Sequence, residues 1–185
     1  MKIPEYFVIR NESNNCPILK EKRIIKWDKD FLIYDNIIDF LNENFYMNIL
    51  EEEYVYVISF NCQMKPQGVF QLSHGIADTS LIGTRELAIF LLLTGANKFT
   101  LAHNHPNGDS TISGGDIEIT NRIMEMSKII GIEFVQHFVI SNEGFDYIIY
   151  DEGDSEQDDD ELEENSDSKE ETIFGIPVSE IYKKN

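Results

Sequence analysis

Basic residues are scarce. Fifteen Lys and Arg stand against 34 Asp and Glu, for a formal net charge of −19. Lys and Arg contacts to phosphate dominate nucleic-acid affinity, so a chain this acidic is a poor nucleic-acid ligand by default. One modest basic cluster, Lys20, Lys22, Arg23 and Lys26, is interrupted by Glu21 and reads as solvated surface. Cysteine is nearly absent. Cys16 and Cys62 form no CxxC pair and no zinc-ligand spacing, which excludes a disulfide framework and a cysteine zinc site. Long apolar runs are missing too: the longest, residues 87–94, is far too short to span a bilayer. The opening Met-Lys-Ile-Pro-Glu-Tyr lacks the apolar core of a secretion signal. These absences lead us to expect a soluble, cytoplasmic protein with no membrane partner.

What is present suffices for one domain: 185 residues, 42% of them hydrophobic, can bury a sizeable core. The acidity is uneven. Residues 151–171 hold 13 acidic side chains and one Lys, a net of −12, which leaves −7 for the rest. With Leu162 as its one aliphatic residue, this stretch has almost nothing to bury and is expected to be disordered. Apolar character returns at Ile173-Phe174-Gly175-Ile176-Pro177-Val178, a segment suited to docking on the domain or on a protein partner. The resulting layout is an N-terminal extension at 1–50, a central domain at 51–150, an acidic linker at 151–172 and a short apolar segment at 173–185.

Periodicity supplies the elements. Short strands are expected at 6–9 and 23–27, separated by a polar break at 11–17. Ile37, Ile38, Phe40, Leu41 and Phe45 make a helical stripe over 36–45, which Asp35 or Asn36 could cap. Residues 54–60 are aromatic and β-branched, and with 69–73 they form an expected hairpin. A helix over 84–94 stops near Gly95, and a strand over 98–103 follows. A loop rich in Pro, Asn, Gly and Asp precedes a helix from Ser113 to about Ile130, which Gly131 stops. Strands at 133–141 and 145–150 close the domain. Helices interspersed with strands, plus a terminal hairpin, predict a single α/β (mixed α+β) domain: a mixed sheet flanked by helices.

The chemistry concentrates in His103-Asn104-His105-Pro106-Asn107-Gly108-Asp109-Ser110-Thr111-Ile112-Ser113-Gly114-Gly115-Asp116. Side chains two apart on a strand share a face, so His103 and His105 point the same way as the strand ends. The loop then swings the chain back, and Asp116 at the start of the next helix completes a three-ligand set. Two imidazoles, one carboxylate and an open fourth position make the pattern of a catalytic zinc rather than a structural one. Ser113-x-x-Asp116 has a second reading as a helix capping box, with Asp in place of Glu.

This segment resembles the JAMM motif of the JAB/MPN metalloproteases, and within that family the RadC-like branch. The likeness rests on Leu101-Ala102-His103-Asn104-His105-Pro106-Asn107-Gly108-Asp109. It extends to Gly83-Thr84-Arg85-Glu86, Gly131-Ile132 and Gln136-His137-Phe138-Val139-Ile140, so it spans about residues 50–150. The resemblance implies a single JAB/MPN-like, cytidine-deaminase-like domain in which His103, His105 and Asp116 hold Zn²⁺. It further implies a glutamate base ahead of an earlier strand, here Glu53 with Glu52 as second choice, and a Ser113 hydroxyl that stabilises the oxyanion. The implied reaction is hydrolysis of an amide or isopeptide bond in a peptide or protein.

Two departures stand out. The helix-hairpin-helix region often found in this branch has no counterpart in residues 1–50, and Gln136 stands where the branch has Asp. His137 is expected to support the site rather than ligate, His74 to lie at the surface, and Glu86 to serve the helix dipole. Asn104 and Asp109 are expected to shape the loop. Two other classes fit the same chain: a binding module without turnover, and a DNA-metabolism or mobile-element factor whose acidic tail mimics DNA toward a basic partner.

Overall fold

The computed structural model describes residues 1–75 and 83–148, together with two short strands farther along the chain. The described residues of the first unit, Met1–Ile148, form seven strands and three helices. They are β1 (Lys2–Arg10), β2 (Pro17–Lys26), α1 (Tyr34–Phe45), β3 (Glu53–Phe60), β4 (Pro66–Gly75), α2 (Thr84–Thr94), β5 (Lys98–Asn104), α3 (Gly114–Ile130), β6 (Glu133–Ile140) and β7 (Phe145–Tyr147). The strands form one mixed sheet in the order β2-β1-β4-β3-β5-β6-β7. Only β1–β4 and β5–β6 run parallel; the remaining neighbours are antiparallel. The mixed α/β class read from the pattern of elements is the class observed.

The second unit, Ile149–Asn185, contributes β8 (Thr172–Ile173) and β9 (Ile176–Pro177), which pair antiparallel. The expected acidic stretch and most of the apolar segment after it lie outside the described residues. No helix among the described residues is long and apolar enough to cross a membrane.

Helices cover both faces of the sheet. Directly paired residues project from the same side, so the registers Val55↔His103, Val57↔Leu101 and Leu101↔His137 place these side chains on one face. That face packs on α2 and α3 through Leu87, Phe90, Leu91, Ile119 and Ile123. The opposite face carries Tyr56 and Phe60, which meet α1 and its approach through Phe45 and Phe31. Within this layered frame β5, α3 and β6 form a βαβ crossover. The carboxyl end of β5 and the start of α3 are therefore brought together, the usual ligand position in sheets with parallel strands.

Several expected boundaries move. Strands β1 and β2 run well beyond 6–9 and 23–27, because they pair with each other along their length and Lys20 to Arg23 gain ladder bonds without any apolar signal. The basic cluster is exposed, as expected, and two of its members also reach a buried carboxylate. Lys22 Nζ lies 2.6 Å and Arg23 Nε 2.5 Å from the carboxylate of Glu5, which is 1% exposed. A carboxylate that deep needs such partners. Helix α1 starts at Tyr34 rather than after Asp35 or Asn36, and no side chain caps it. Tyr34 is instead anchored by edge contacts to Phe138 and Tyr147, and Asp35 sits in the first turn where its charge suits the helix dipole.

Candidate metal centre

Strand β5 delivers His103 on its penultimate residue, and the chain leaves the sheet at His105. The His105 amide still donates to the Ile140 carbonyl (2.8 Å), so the loop departs from a fixed point. Gly108, at φ +87°, turns that loop in a conformation that side-chain-bearing residues rarely adopt. Ser113 then begins α3 as its N-cap. Its hydroxyl accepts from the Asp116 amide (3.2 Å), while its amide (2.8 Å) and hydroxyl (2.6 Å) both donate to Asp116 Oδ2. The capping-box reading of Ser-x-x-Asp is therefore real, and it coexists with the metal reading: the box orients the Asp116 carboxylate toward the histidines.

The three side chains converge. His103 Nε2 lies 3.0 Å from Asp116 Oδ1 and 3.0 Å from His105 Nε2, and His105 Nε2 lies 3.7 Å from Asp116 Oδ2. One potential ligand atom from each residue falls within 4.8 Å of the others, a spacing that could hold a metal ion. Asp116 is 1% and His103 4% exposed, whereas His105 is half-buried at the rim. Burial works to raise the Asp116 carboxyl, whereas a proton on His103, through its hydrogen bond and charge, and then the Ser113 hydroxyl and amide work to lower it, with a net downward shift. The carboxylate is ionised at neutral pH.

The tautomers can be argued from fixed acceptors. His105 Nδ1 lies 2.9 Å from the Asp109 carbonyl, which only accepts. Nδ1 therefore carries the hydrogen, and the Nε2 lone pair faces the cluster. His103 Nδ1 lies 2.8 Å from Nε2 of His137, which is fully buried and in turn touches Thr120. With neutral rings, two nitrogen lone pairs and an ionised carboxylate crowd one small space. Such a donor set is one that a cation would satisfy.

The glutamates separate by face. Glu53 shares the face of Val55, hence of His103, by strand alternation. Glu52 projects the other way, with its carboxylate 3.7 Å from His74 Nδ1. His74 is exposed and stacks on Tyr54, as a surface histidine would. Asn104 points away from the histidine pair, as its strand position requires, and ties down the segment before β3. Its Nδ2 donates to the Glu52 carbonyl (3.0 Å), and its Oδ1 accepts from the Tyr54 amide (2.8 Å). Asp109 shapes the loop through its carboxylate, which accepts from the Thr111 hydroxyl (2.5 Å) and amide (2.8 Å). Glu86 lies in the first turn of α2, where it suits the dipole and pairs with Arg85.

Two features escaped the sequence. Thr120 was not singled out, although a Thr four residues after a candidate ligand on the same helix is a readable signal. A cavity of about 240 Å³ lies beside His105, lined by residues 48–51, Pro106 and Asn142. It depends on the turn between α1 and β3, which carries no motif.

Residues 34–153, more than half of the chain, match the family model described as the RadC-like JAB domain. Among curated relatives, a UPF0758 protein of Alkaliphilus metalliredigens (strain QYMF) is 32% identical over 108 residues, 58% of this chain and 46% of that protein. A UPF0758 protein of Clostridium tetani (strain Massachusetts / E88) is 35% identical over 96 residues, 52% of this chain and 42% of that protein. A third, from Clostridium beijerinckii (strain ATCC 51743 / NCIMB 8052), is 36% identical over 99 residues, 54% of this chain and 43% of that protein. The chain thus spans less than half the length of the curated relatives it matches.

Proposed function

The chain belongs to the RadC-like JAB domain family, and from that premise we propose that it is a zinc-dependent hydrolase of amide bonds, a peptidase or isopeptidase acting on a peptide or protein. The observation that carries the reading is the convergence of two imidazole Nε2 atoms on an ionised, buried carboxylate. Two imidazoles and one carboxylate suit zinc and leave a coordination position open. Bound there, zinc would supply a water acidified toward neutral pH and a Lewis acid for the scissile carbonyl.

The chain's own residues would do the rest. His103, His105 and Asp116 would hold the ion. Glu53, on their face and at the strand edge, would take a proton from the attacking water and deliver it to the leaving nitrogen. Ser113 gives its hydroxyl hydrogen to Asp116 Oδ2 at rest. Turned away from that oxygen, the same hydrogen would stabilise the developing oxyanion. The cavity beside His105 would take the substrate residue next to the scissile bond.

The test is a panel of peptides and isopeptide-linked conjugates offered to zinc-loaded wild type, Glu53→Gln and His105→Ala. We expect turnover by wild type and a loss of about 10²–10⁴-fold in Glu53→Gln with metal retained. Wild-type protein that turns over nothing in the panel, or Glu53→Gln that matches wild type, would overturn hydrolysis by this route. A binding module without turnover would then be the better account.

A further inference from the structure

Thr120 and His137 sit behind the metal-ligand cluster, and the direction of their hydrogen bonds can be derived. The Asp116 backbone carbonyl only accepts, so the Thr120 hydroxyl, 2.6 Å away, must donate to it. A hydroxyl has one hydrogen, so Thr120 Oγ1 must accept from His137 Nδ1, also 2.6 Å away. His137 therefore carries its hydrogen on Nδ1. Its ring is 0% exposed, where an imidazolium would lose its hydration. The ring is neutral, and its Nε2 is a lone pair that accepts from His103 Nδ1 at 2.8 Å. That bond places a hydrogen on His103 Nδ1 and, in the neutral ring, leaves the Nε2 lone pair toward His105 and Asp116.

We propose that Thr120 and His137 are positioning residues of the metal centre: a one-directional hydrogen-bond circuit anchored on the Asp116 carbonyl fixes the His103 tautomer and ties two of the three ligands together. This inference rests on the metal reading above and names residues behind the ligands that hold them ready. The circuit links β5, β6 and the first turns of α3, all elements of the βαβ crossover. A ring held only by packing could flip or change tautomer; here either change would leave a buried donor facing a donor, or an acceptor facing an acceptor. Thr120 fits the role better than Val of the same shape, because it must both donate and accept.

The test uses the full chain and zinc. Affinity is measured by competition with a chromophoric chelator for wild type, Thr120→Val and Thr120→Ser, and histidine tautomers are read in the metal-free proteins by long-range ¹H–¹⁵N NMR. We expect His103 and His137 to be Nδ1–H in wild type. Thr120→Val should weaken zinc binding about 10–100-fold and mix the His137 tautomers, and Thr120→Ser should restore both. Thr120→Val with wild-type affinity and unchanged tautomers would overturn the circuit and leave the metal centre standing. Wild type that binds no zinc would remove the metal reading and the positioning role together. Should Thr120→Val fail to fold, the wild-type spectrum still decides, since a His137 Nε2–H signal contradicts the derived direction.

Discussion

The two histidines of the cluster reach the same protonation pattern by different means. His103 sits inside the sheet, and its Nδ1 is held by a buried side chain, His137, behind which stands Thr120. His105 sits on the loop at the rim, and its Nδ1 is held by a backbone carbonyl, that of Asp109. One arrangement is rigid and made of side chains that substitution can remove. The other is made of loop backbone that no side-chain replacement deletes. The cluster thus has a wall of buried side chains and a rim held by loop backbone.

The largest expected effect concerns the ligands themselves. His103→Ala and His105→Ala should both abolish stoichiometric metal binding, yet differ in stability. Removing His103 leaves His137 Nε2 without its buried donor and should cost about 1–3 kcal/mol. Removing His105 from the rim should change stability by less than about 1 kcal/mol. Chemical unfolding of the metal-free variants checks the difference, and equal losses would erase the distinction between wall and rim.

Next in size is Asn104→Ala. Asn104 bonds the Glu52 carbonyl and the Tyr54 amide on either side of Glu53, so its loss should destabilise the protein by about 1–3 kcal/mol and lower turnover while metal content stays near wild type. Thermal unfolding beside metal analysis separates these outcomes.

A pH dependence sharpens the contrast further. The His137 pKa is depressed by burial, so between that value and the unfolded one, about 6.5, the unfolded chain binds more protons. The metal-free protein should thus keep its full stability above about pH 6.5 and lose it as pH falls below, with a limiting slope of about 1.4 kcal/mol per unit. Denaturation midpoints measured from pH 8 to 4 test this, and a flat profile between 7 and 5 would contradict a buried neutral His137.

The smallest effect belongs to the rim. Asp109→Ala removes the loop's bonds to Thr111 but not the carbonyl that holds His105, so zinc affinity should fall by only a few-fold. Chelator competition measures it. A loss as large as that of Thr120→Val would mean that the loop is as exacting as the wall.

Much of this was legible in the chain because local rules agreed. His-x-His at a strand end, a Pro/Gly loop and Ser-x-x-Asp at a helix start each fix a local geometry, and together they bring three candidate ligands to one point. Gly95 and Gly131 end their helices in the left-handed conformation, as their positions suggested. What stayed hidden depends on tertiary pairing. The length of β2 is set by β1 rather than by its own apolar content, and α1 begins at Tyr34 because of aromatic rings more than a hundred residues away. The spacing within α3 links Thr120 to Asp116, but its bond to His137 exists only once β6 is laid beside β5. The choice between Glu52 and Glu53 likewise rests on the register Val55↔His103, a pairing between strands rather than a property of the triplet.

The most direct measurement is the metal content of untagged protein by elemental mass spectrometry, wild type beside His105→Ala. The account predicts about one zinc per wild-type chain and none in the variant. No metal in wild type, even after zinc is supplied at neutral pH, would contradict it and leave the converging histidines as a scaffold.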